Sequence, residues 1–404
     1  MTKHPFIPII IGTDMNAYNM AISFHEEYGI KPILVGKEAL SFTSLSSIIK
    51  SIELNPKLPE KQVFVRFLKE IATKYAEPGK KMLLIGTNDL YVRMIIENAD
   101  ALKSDYLFNY IDEPLMNDLL VKSNFYKLCV EHGIETPATY FYSCLEDKPF
   151  ADEVLFPVII KPSNGVEYYK NPFAGMQKVY KVDSYDEIQK VVETIKASGY
   201  KEDLIIQDYI PGDDTYMWDS VFYMNSHGKA ELITYAQVVL QEHTVTAIGN
   251  YTALITRYDE EMMMKLKDFL EALHYVGYAN FDLKFDKRDG KFKVFEVNIR
   301  QGRSSYYITA CGHNMAKYFV DDLIHGEQKP LTLLDKPFLF TVVPKIVLKK
   351  FVLNREICNE VKTLLKQGKF GNPLFYKKDR HFKRKLYLFA RQINYYRKYK
   401  DNQW

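Results

Sequence analysis

Two carboxylates, an amide and a guanidinium fall close together near the middle of the chain: Asp282, Glu296, Asn298 and Arg300. The segment that carries them reads as two adjacent strands of a hairpin, turned at Arg288-Asp289-Gly290. Asp282 lies on the first strand. Glu296, Asn298 and Arg300 alternate along the second, so their side chains share one face. Two carboxylates and an amide oxygen on one sheet face offer the hard oxygen ligands that suit Mg²⁺. The plainer alternative is a solvated polar face with ordinary cross-strand charge pairs. Phe292, Val294, Phe295 and Val297 weigh against it by making the strand too apolar for the surface. A buried acidic cluster without a cation would be costly.

Lys161 closes an apolar strand, Val158–Ile160, and opens a polar loop that runs from Pro162-Ser-Asn-Gly165 to Gly175. A cation there can bind phosphate oxygens while loop amides close over them. Lys122 stands on the preceding helix. Either lysine alone says little, since most lysines are solvated. Gln207, Asp208, Tyr209 and Ile210 end another strand and run into Pro-Gly-Asp213-Asp214. Tyr209 and Ile210 offer apolar contact and free backbone groups to an adenine edge, and Asp214 can accept from ribose hydroxyls. Taken alone, the same residues make a simple strand-turn-strand. Arg303 and Ser304 follow the acidic hairpin, and Arg303 suits two-point contact with a carboxylate. Arg257, just before the helical stretch Asp259–Leu273, is a further candidate for an anion. Cys311 and His313 read as structural, because neither has an evident partner for nucleophilic chemistry.

The elements that must position these residues can be read from periodicity. Residues 6–36 give strand, turn, helix and strand, with Ala17–Tyr28 helical and closed by Gly29. Val63–Tyr75 is another helix, and Lys81–Ile85 a strand ending in Gly86-Thr-Asn-Asp89. This alternation implies a parallel sheet with helices on both faces. Gly12 permits a tight turn at a helix N-terminus, but a full G-x-G-x-x-G is lacking, which disfavours a dinucleotide site. Asp118–Gly133 is expected to be one amphipathic helix, and Ser184–Ser198 another with Ser184 as its N-cap. Strands are expected at Leu204–Ile210, Met217–Met224 and Leu232–Leu240. No internal repeat is present.

The 404 residues are 47% hydrophobic, enough for two or three domains with their own cores. No stretch reaches the ~20 apolar residues of a membrane span. The opening Met-Thr-Lys-His-Pro and Phe6–Ile11 are expected to be a first buried strand and its approach, not a signal sequence. Cys129, Cys144, Cys311 and Cys358 show no pairing or metal spacing, which suits reduced thiols in the cytoplasm. The net charge of +3 conceals an asymmetry: from Lys345 onward 17 Lys/Arg face 4 Asp/Glu. Such a tail attracts anionic partners: phosphate-rich substrates, the inner membrane surface or nucleic acid. Aromatic residues among the cations permit single-stranded nucleic acid, but they suit a membrane surface equally, and nucleic acid is the less favoured partner.

The order of parts is more specific than any one of them. Lys122, Lys161 with its loop, the Gln207–Asp214 segment, then Asp282, Glu296, Asn298 and Arg300 resemble the ATP-grasp superfamily over roughly residues 115–325. The resemblance implies an α/β chain with a Rossmann-like domain (1–115), an ATP-grasp domain (116–330) and a basic C-terminal extension (331–404). It implies ATP and Mg²⁺, the metal as two ions. Lys122 and Lys161 would hold nucleotide phosphates. Gln207, Asp208, Tyr209 and Ile210 would form the adenine hinge, with Asp214 as ribose acceptor. Gln207 and Asp214 stand where the superfamily more often has Glu. Asp282, Glu296 and Asn298 would be the metal ligands, and Arg300 would face the reacting phosphoryl group. At whole-chain level the Ile-Ile-Gly-Thr-Asp-Met-Asn start, the Val-Asn-Ile-Arg-Gln-Gly-Arg-Ser-Ser block and the basic tail are similar to members that build peptidoglycan bridges. These join the β-carboxylate of D-aspartate to the ε-amine of a stem-peptide lysine. Arg300 and Arg303 could then divide the two carboxylates of the amino acid, and an anionic cell-wall precursor would meet the tail. Other carboxylate–amine ligases of the fold, and a degenerate grasp that only binds, remain as alternatives. No residue stands out as a general base.

Overall fold

The computed structural model describes residues 4–146, 148–244, 247 and 249–402. The first three residues of the expected N-terminal approach lie outside that set.

The first sheet has five parallel strands, in the spatial order Ser51–Leu54, Ile33–Gly36, Phe6–Ile11, Lys81–Gly86, Tyr106–Leu107. Ile7, Ile9 and Ile11 point to one face and Phe6 and Ile10 to the other, and both faces are buried. That is why the strand reads as one apolar run. Chain order reverses direction at Phe6–Ile11 and its neighbour Lys81–Gly86. A crevice opens beyond the carboxyl ends of such a pair. Gly12-Thr13-Asp14 and Thr87-Asn88-Asp89 occupy it. Asp14 caps the helix Met15–Tyr28 and Asn88 caps Asp89–Glu97.

The second sheet is larger, with nine strands, mostly antiparallel. Its path runs Lys291–Asn298, Gly277–Asp286, Met217–Met224, Tyr235–Gln241, Tyr251–Arg257, Leu339–Thr341, Phe370–Gly371. The third has four antiparallel strands in the order Thr139–Ser143, Asp203–Asp208, Val158–Pro162, Tyr180–Val182. It keeps a small core of its own, closed by the helix Tyr185–Ala197 and its Ser184 cap. The second and third sheets face each other across a cleft, and the switch-point edge of the first sheet closes one end.

Three local expectations are revised. The stretch Asp118–Gly133 is not one helix: Glu113–Leu120 and Lys122–Glu131 are separated at Val121, which is extended. Asn124 donates to Asp118 across the break. The break puts Lys122 in a first helical turn, with its side chain turned into the cleft. Leu232–Leu240 is two strands, Ala230–Ile233 and Tyr235–Gln241. Thr234 separates them and spends its hydroxyl on Val221 and Tyr307. Part of the polar loop after Lys161 is helical, Gly165–Lys170, where the Tyr168 hydroxyl donates to the Gln177 carbonyl.

The chain beyond residue 331 is woven into the rest. Leu339–Thr341 extends the second sheet, and Val347, Leu348, Val361, Leu374, Leu388, Tyr395 and Tyr399 share one core with Phe6, Tyr18 and Phe24. Arg384 is fully buried against Tyr18, pairs with Asp379 and donates to the carbonyls of Leu374 and Phe42.

Candidate active site

The hairpin register places Asp282 directly opposite Glu296, with Asn298 opposite Asn280. The next strand adds a carboxylate the sequence reading missed: Asp219 stands opposite Asp282. Three adjacent strands therefore carry a row of acids, Asp219, Asp282 and Glu296, on the floor of a cleft of about 670 Å³. Burial, followed by the Glu296 and Asp219 charges, pushes the Asp282 carboxyl well above the ordinary range. Burial likewise lifts Asp219 to about 6, although Asn280 (2.6 Å) and the Tyr307 hydroxyl (3.1 Å) donate to it. Glu296 moves the other way, held down by the Lys122 ammonium 2.5 Å away. Asp282 accepts from the Tyr251 hydroxyl (2.7 Å) and from Asn298 (3.0 Å).

These residues fit a divalent cation. A row of carboxylates that disfavours its own ionisation is relieved by a dication among its oxygens. Among the described residues no group of three or more His, Cys, Asp or Glu side chains is placed to hold a metal by itself. Asp282, Glu296 and the Asn298 amide thus offer part of a shell, and phosphate oxygens would complete it, the usual habit of Mg²⁺.

The opposite wall carries cations. Lys161 reaches the cleft from the end of its strand. It donates to Gln207 at 3.1 Å and lies over the Phe295 ring. Burial, then the neighbouring Lys122 charge, pulls Lys161 down to about 8. Gln207 is fully buried and is not part of the cleft wall. Its amide nitrogen donates to Tyr126 and Thr139, so it fixes Lys161 and does not itself meet a ligand. Asp208, Tyr209 and Ile210 do line the cleft, and Asp208 is clamped by Arg288.

Asp214 lies in a second cavity of about 430 Å³ that shares Tyr209, Met217 and Lys284 with the cleft. Its carboxylate accepts from His243 (2.8 Å) and twice from Gln241, through the side chain (2.7 Å) and the backbone (3.1 Å). Lys350, Phe351 and Leu353 of the C-terminal segment form the far wall.

Arg300 and Arg303 meet the cleft where the first sheet closes it. Arg300 pairs with Asp89 at 2.9 and 3.0 Å and donates to the Asn298 amide oxygen at 3.1 Å. Asp89 is a second residue the sequence reading passed over. Arg303 and Ser304 line the same end. Among the described residues the Arg303 guanidinium has no hydrogen-bond or ion-pair partner. Arg257 does not reach the cleft. It is bound two-pronged to Glu360 (2.5 and 2.7 Å) and to Gln237, and it ties the sheet to the helix Arg355–Lys366. Its part as an anion site is withdrawn. Cys311 is buried, and all four cysteines are free thiols.

No protein-family model matches the chain. A D-aspartate ligase of Enterococcus faecium (strain Aus0004) is 33% identical over 411 residues, spanning 98% of this chain and 96% of the relative. Among solved structures, the L-amino acid ligase of Bacillus licheniformis matches with a TM-score of 0.56 at 16% identity. The match covers 80% of this chain and 75% of that one. The biotin carboxylase domain of the Hydrogenobacter thermophilus 2-oxoglutarate carboxylase, solved with MgADP and bicarbonate, matches with a TM-score of 0.62 at 13% identity. Here 82% and 72% of the two chains are covered. The identity and coverage of the first comparison establish that this chain belongs to the D-aspartate ligase family, on an ATP-grasp fold shared with the other two.

Proposed function

We propose that the chain uses ATP to activate the β-carboxylate of D-aspartate and joins it to the ε-amine of a peptidoglycan stem lysine. The observation that carries this reading is the two-sided cleft, with an acid row facing Lys161 and with Arg300 and Arg303 at its end. Lys122 and Lys161 bind nucleotide phosphates, Tyr209 and Ile210 border the base, and Asp214 accepts from the ribose. Asp282, Glu296 and Asn298 hold Mg²⁺, as two ions. The metal supplies charge neutralisation and fixes the line of phosphoryl transfer. Arg300 steadies the γ-phosphoryl group as a β-carboxylate oxygen attacks phosphorus and ADP departs, leaving an acyl phosphate. Arg303 anchors the second carboxylate. The amine then attacks the carbonyl carbon, and phosphate leaves as the amide forms. Closure of residues 163–177 keeps water from the acyl phosphate. The test is ADP release with D-aspartate, L-aspartate or D-alanine, each with and without a lysine-containing wall precursor. Release that needs both D-aspartate and the precursor is expected; equal release with every amino acid would overturn the substrate assignment.

Lys161 gives this reading a pH signature. A phosphate partner raises the ammonium pKa above its free value of about 8. The affinity it contributes is therefore complete below that pH and is lost as pH rises through it, by up to about tenfold per unit. ATP titrations from pH 7 to 9.5 should show the loss, and Lys161→Arg, which stays charged, should flatten it. A wild-type profile with no decline would exclude Lys161 as a phosphate ligand.

The acceptor, an anionic precursor, meets the basic C-terminal surface, which we place at the inner membrane face. Phe382, Leu386, Phe389 and Ile393 are exposed at helical spacing on Phe382–Asp401. Exposed Lys383, Lys385, Arg397 and Lys400 accompany them. An apolar stripe among cations suits an anionic bilayer surface. No helix among the described residues is long and apolar enough to cross one. Serine at all four apolar positions should abolish sedimentation with phosphatidylglycerol vesicles. Wild-type protein that ignores such vesicles at low salt would refute this placement.

A further inference from the structure

We propose that Asp89 receives the α-ammonium group of the amino acid, so that the enzyme selects an amino dicarboxylate over a plain one. The inference rests on the ligase reading above and names a recognition element within it.

Five carboxylates line the cleft: Asp89, Asp208, Asp219, Asp282 and Glu296. Four are committed. Asp208 is clamped by Arg288. Asp219 is held by Asn280 and Tyr307 on the floor. Asp282 and Glu296 form the cation site. Asp89 is the one of the five contributed by the first sheet, at its switch point; it lines the cleft and its side chain is 49% exposed. The other acid of that edge, Asp14, is absent from the cleft wall. It is spent on Ala17 N (2.9 Å) and the Thr87 hydroxyl (3.3 Å).

The cation now beside Asp89 is one that the reaction needs elsewhere. Arg300 divides its guanidinium between Asp89 and the amide oxygen of Asn298. A dication on Asn298 withdraws the second partner, and an anionic phosphoryl group draws the guanidinium from the first. Asp89 would then keep its charge in a closing cleft with no counterion, a costly state unless another cation replaces the first. The substrate brings that cation. With its β-carboxylate toward Arg300 and its α-carboxylate on Arg303, the α-ammonium completes a three-point contact at Asp89. Polar groups placed to meet an N–H donor reject analogues that lack it.

The experiment compares D-aspartate with succinate, which has the same two carboxylates and no amine. For full-length wild type and Asp89→Asn, it measures kcat and KM for D-aspartate in the presence of precursor, and the Ki of succinate against it. Asp89→Asn is expected to raise the D-aspartate KM about 100-fold, with a smaller change in kcat. The succinate Ki should stay within about threefold or fall, so that discrimination collapses. Equal losses for both compounds, or a loss confined to kcat, would mean that Asp89 only orients Arg300 and would overturn the proposal. If wild type shows no turnover that depends on D-aspartate, the ligase reading itself fails and this inference falls with it. Asparagine matches the shape of aspartate at this half-exposed position, and an unchanged melting temperature verifies that the variant is folded.

Discussion

Glu296→Gln and Asp282→Asn should each reduce turnover by at least about 10³-fold, which is about 4 kcal/mol of lost transition-state stabilisation. Both substitutions keep side-chain shape and remove an anionic oxygen from the proposed metal shell. Folding should survive for different reasons. Asp282 is a carboxyl that burial and its neighbours Glu296 and Asp219 already disfavour as an anion. An amide there removes a repulsion, so the melting temperature is expected to hold or rise. Glu296→Gln leaves Lys122, whose side chain is only 21% exposed, without its charged partner, but the ammonium keeps the Phe295 carbonyl at 3.5 Å and the oxygen of the new amide as acceptors. ADP release at saturating Mg²⁺ measures the first effect, and thermal unfolding monitored by circular dichroism the second. Full activity in either variant would remove the metal assignment.

A chain stopped before Lys345 is expected not to fold. From sequence alone, cutting the basic extension near residue 345 would be expected to weaken acceptor or membrane contact more than ATP binding. Instead it contributes Val347, Leu348, Val361, Leu374, Leu388, Tyr395 and Tyr399 to a core shared with the first sheet. Each such side chain contributes about 1.5–3 kcal/mol on burial. Seven together come to about 10–20 kcal/mol, as large as the whole ~5–15 kcal/mol by which domains are normally stable. Expression of residues 1–344 should give insoluble or protease-sensitive protein with no cooperative unfolding transition. A soluble truncate with a sharp transition would contradict the shared core. For the same reason, membrane contact must be tested with the surface serine variants and not by truncation.

The parts of the site that are local in sequence were legible. Alternation of Glu296, Asn298 and Arg300 fixes one strand face, and Gly290, at a positive φ of 72°, closes the turn that brings Asp282 opposite Glu296. Lys161 was legible as the end of an apolar strand. What failed depends on distant pairing. Asp219 enters the acid row through the register of Met217–Met224 against Gly277–Asp286, which nothing near residue 219 announces. Asp89 was visible as a strand-end residue, but its part comes from Arg300, 211 positions away. Arg257 misled because its partner Glu360 lies 103 residues further on. Gln207 lies on its strand as expected, yet strand alternation turns its side chain inward to Lys161. The break at Val121 was hidden because helical periodicity resumes immediately on its far side.

The clasp of Tyr18, Asp379 and Arg384 has a consequence for biosynthesis. Tyr18 donates to Asp379, and Ser46 and Ser47 bind the same carboxylate. The helix Met15–Tyr28 therefore waits with an apolar flank uncovered until residues 361 positions further along the chain have emerged from the ribosome. Vectorial folding from the N-terminus is closed to such a protein. The segment around Tyr18 must remain unfinished while all the residues between are made, which leaves the nascent chain in need of holding chaperones.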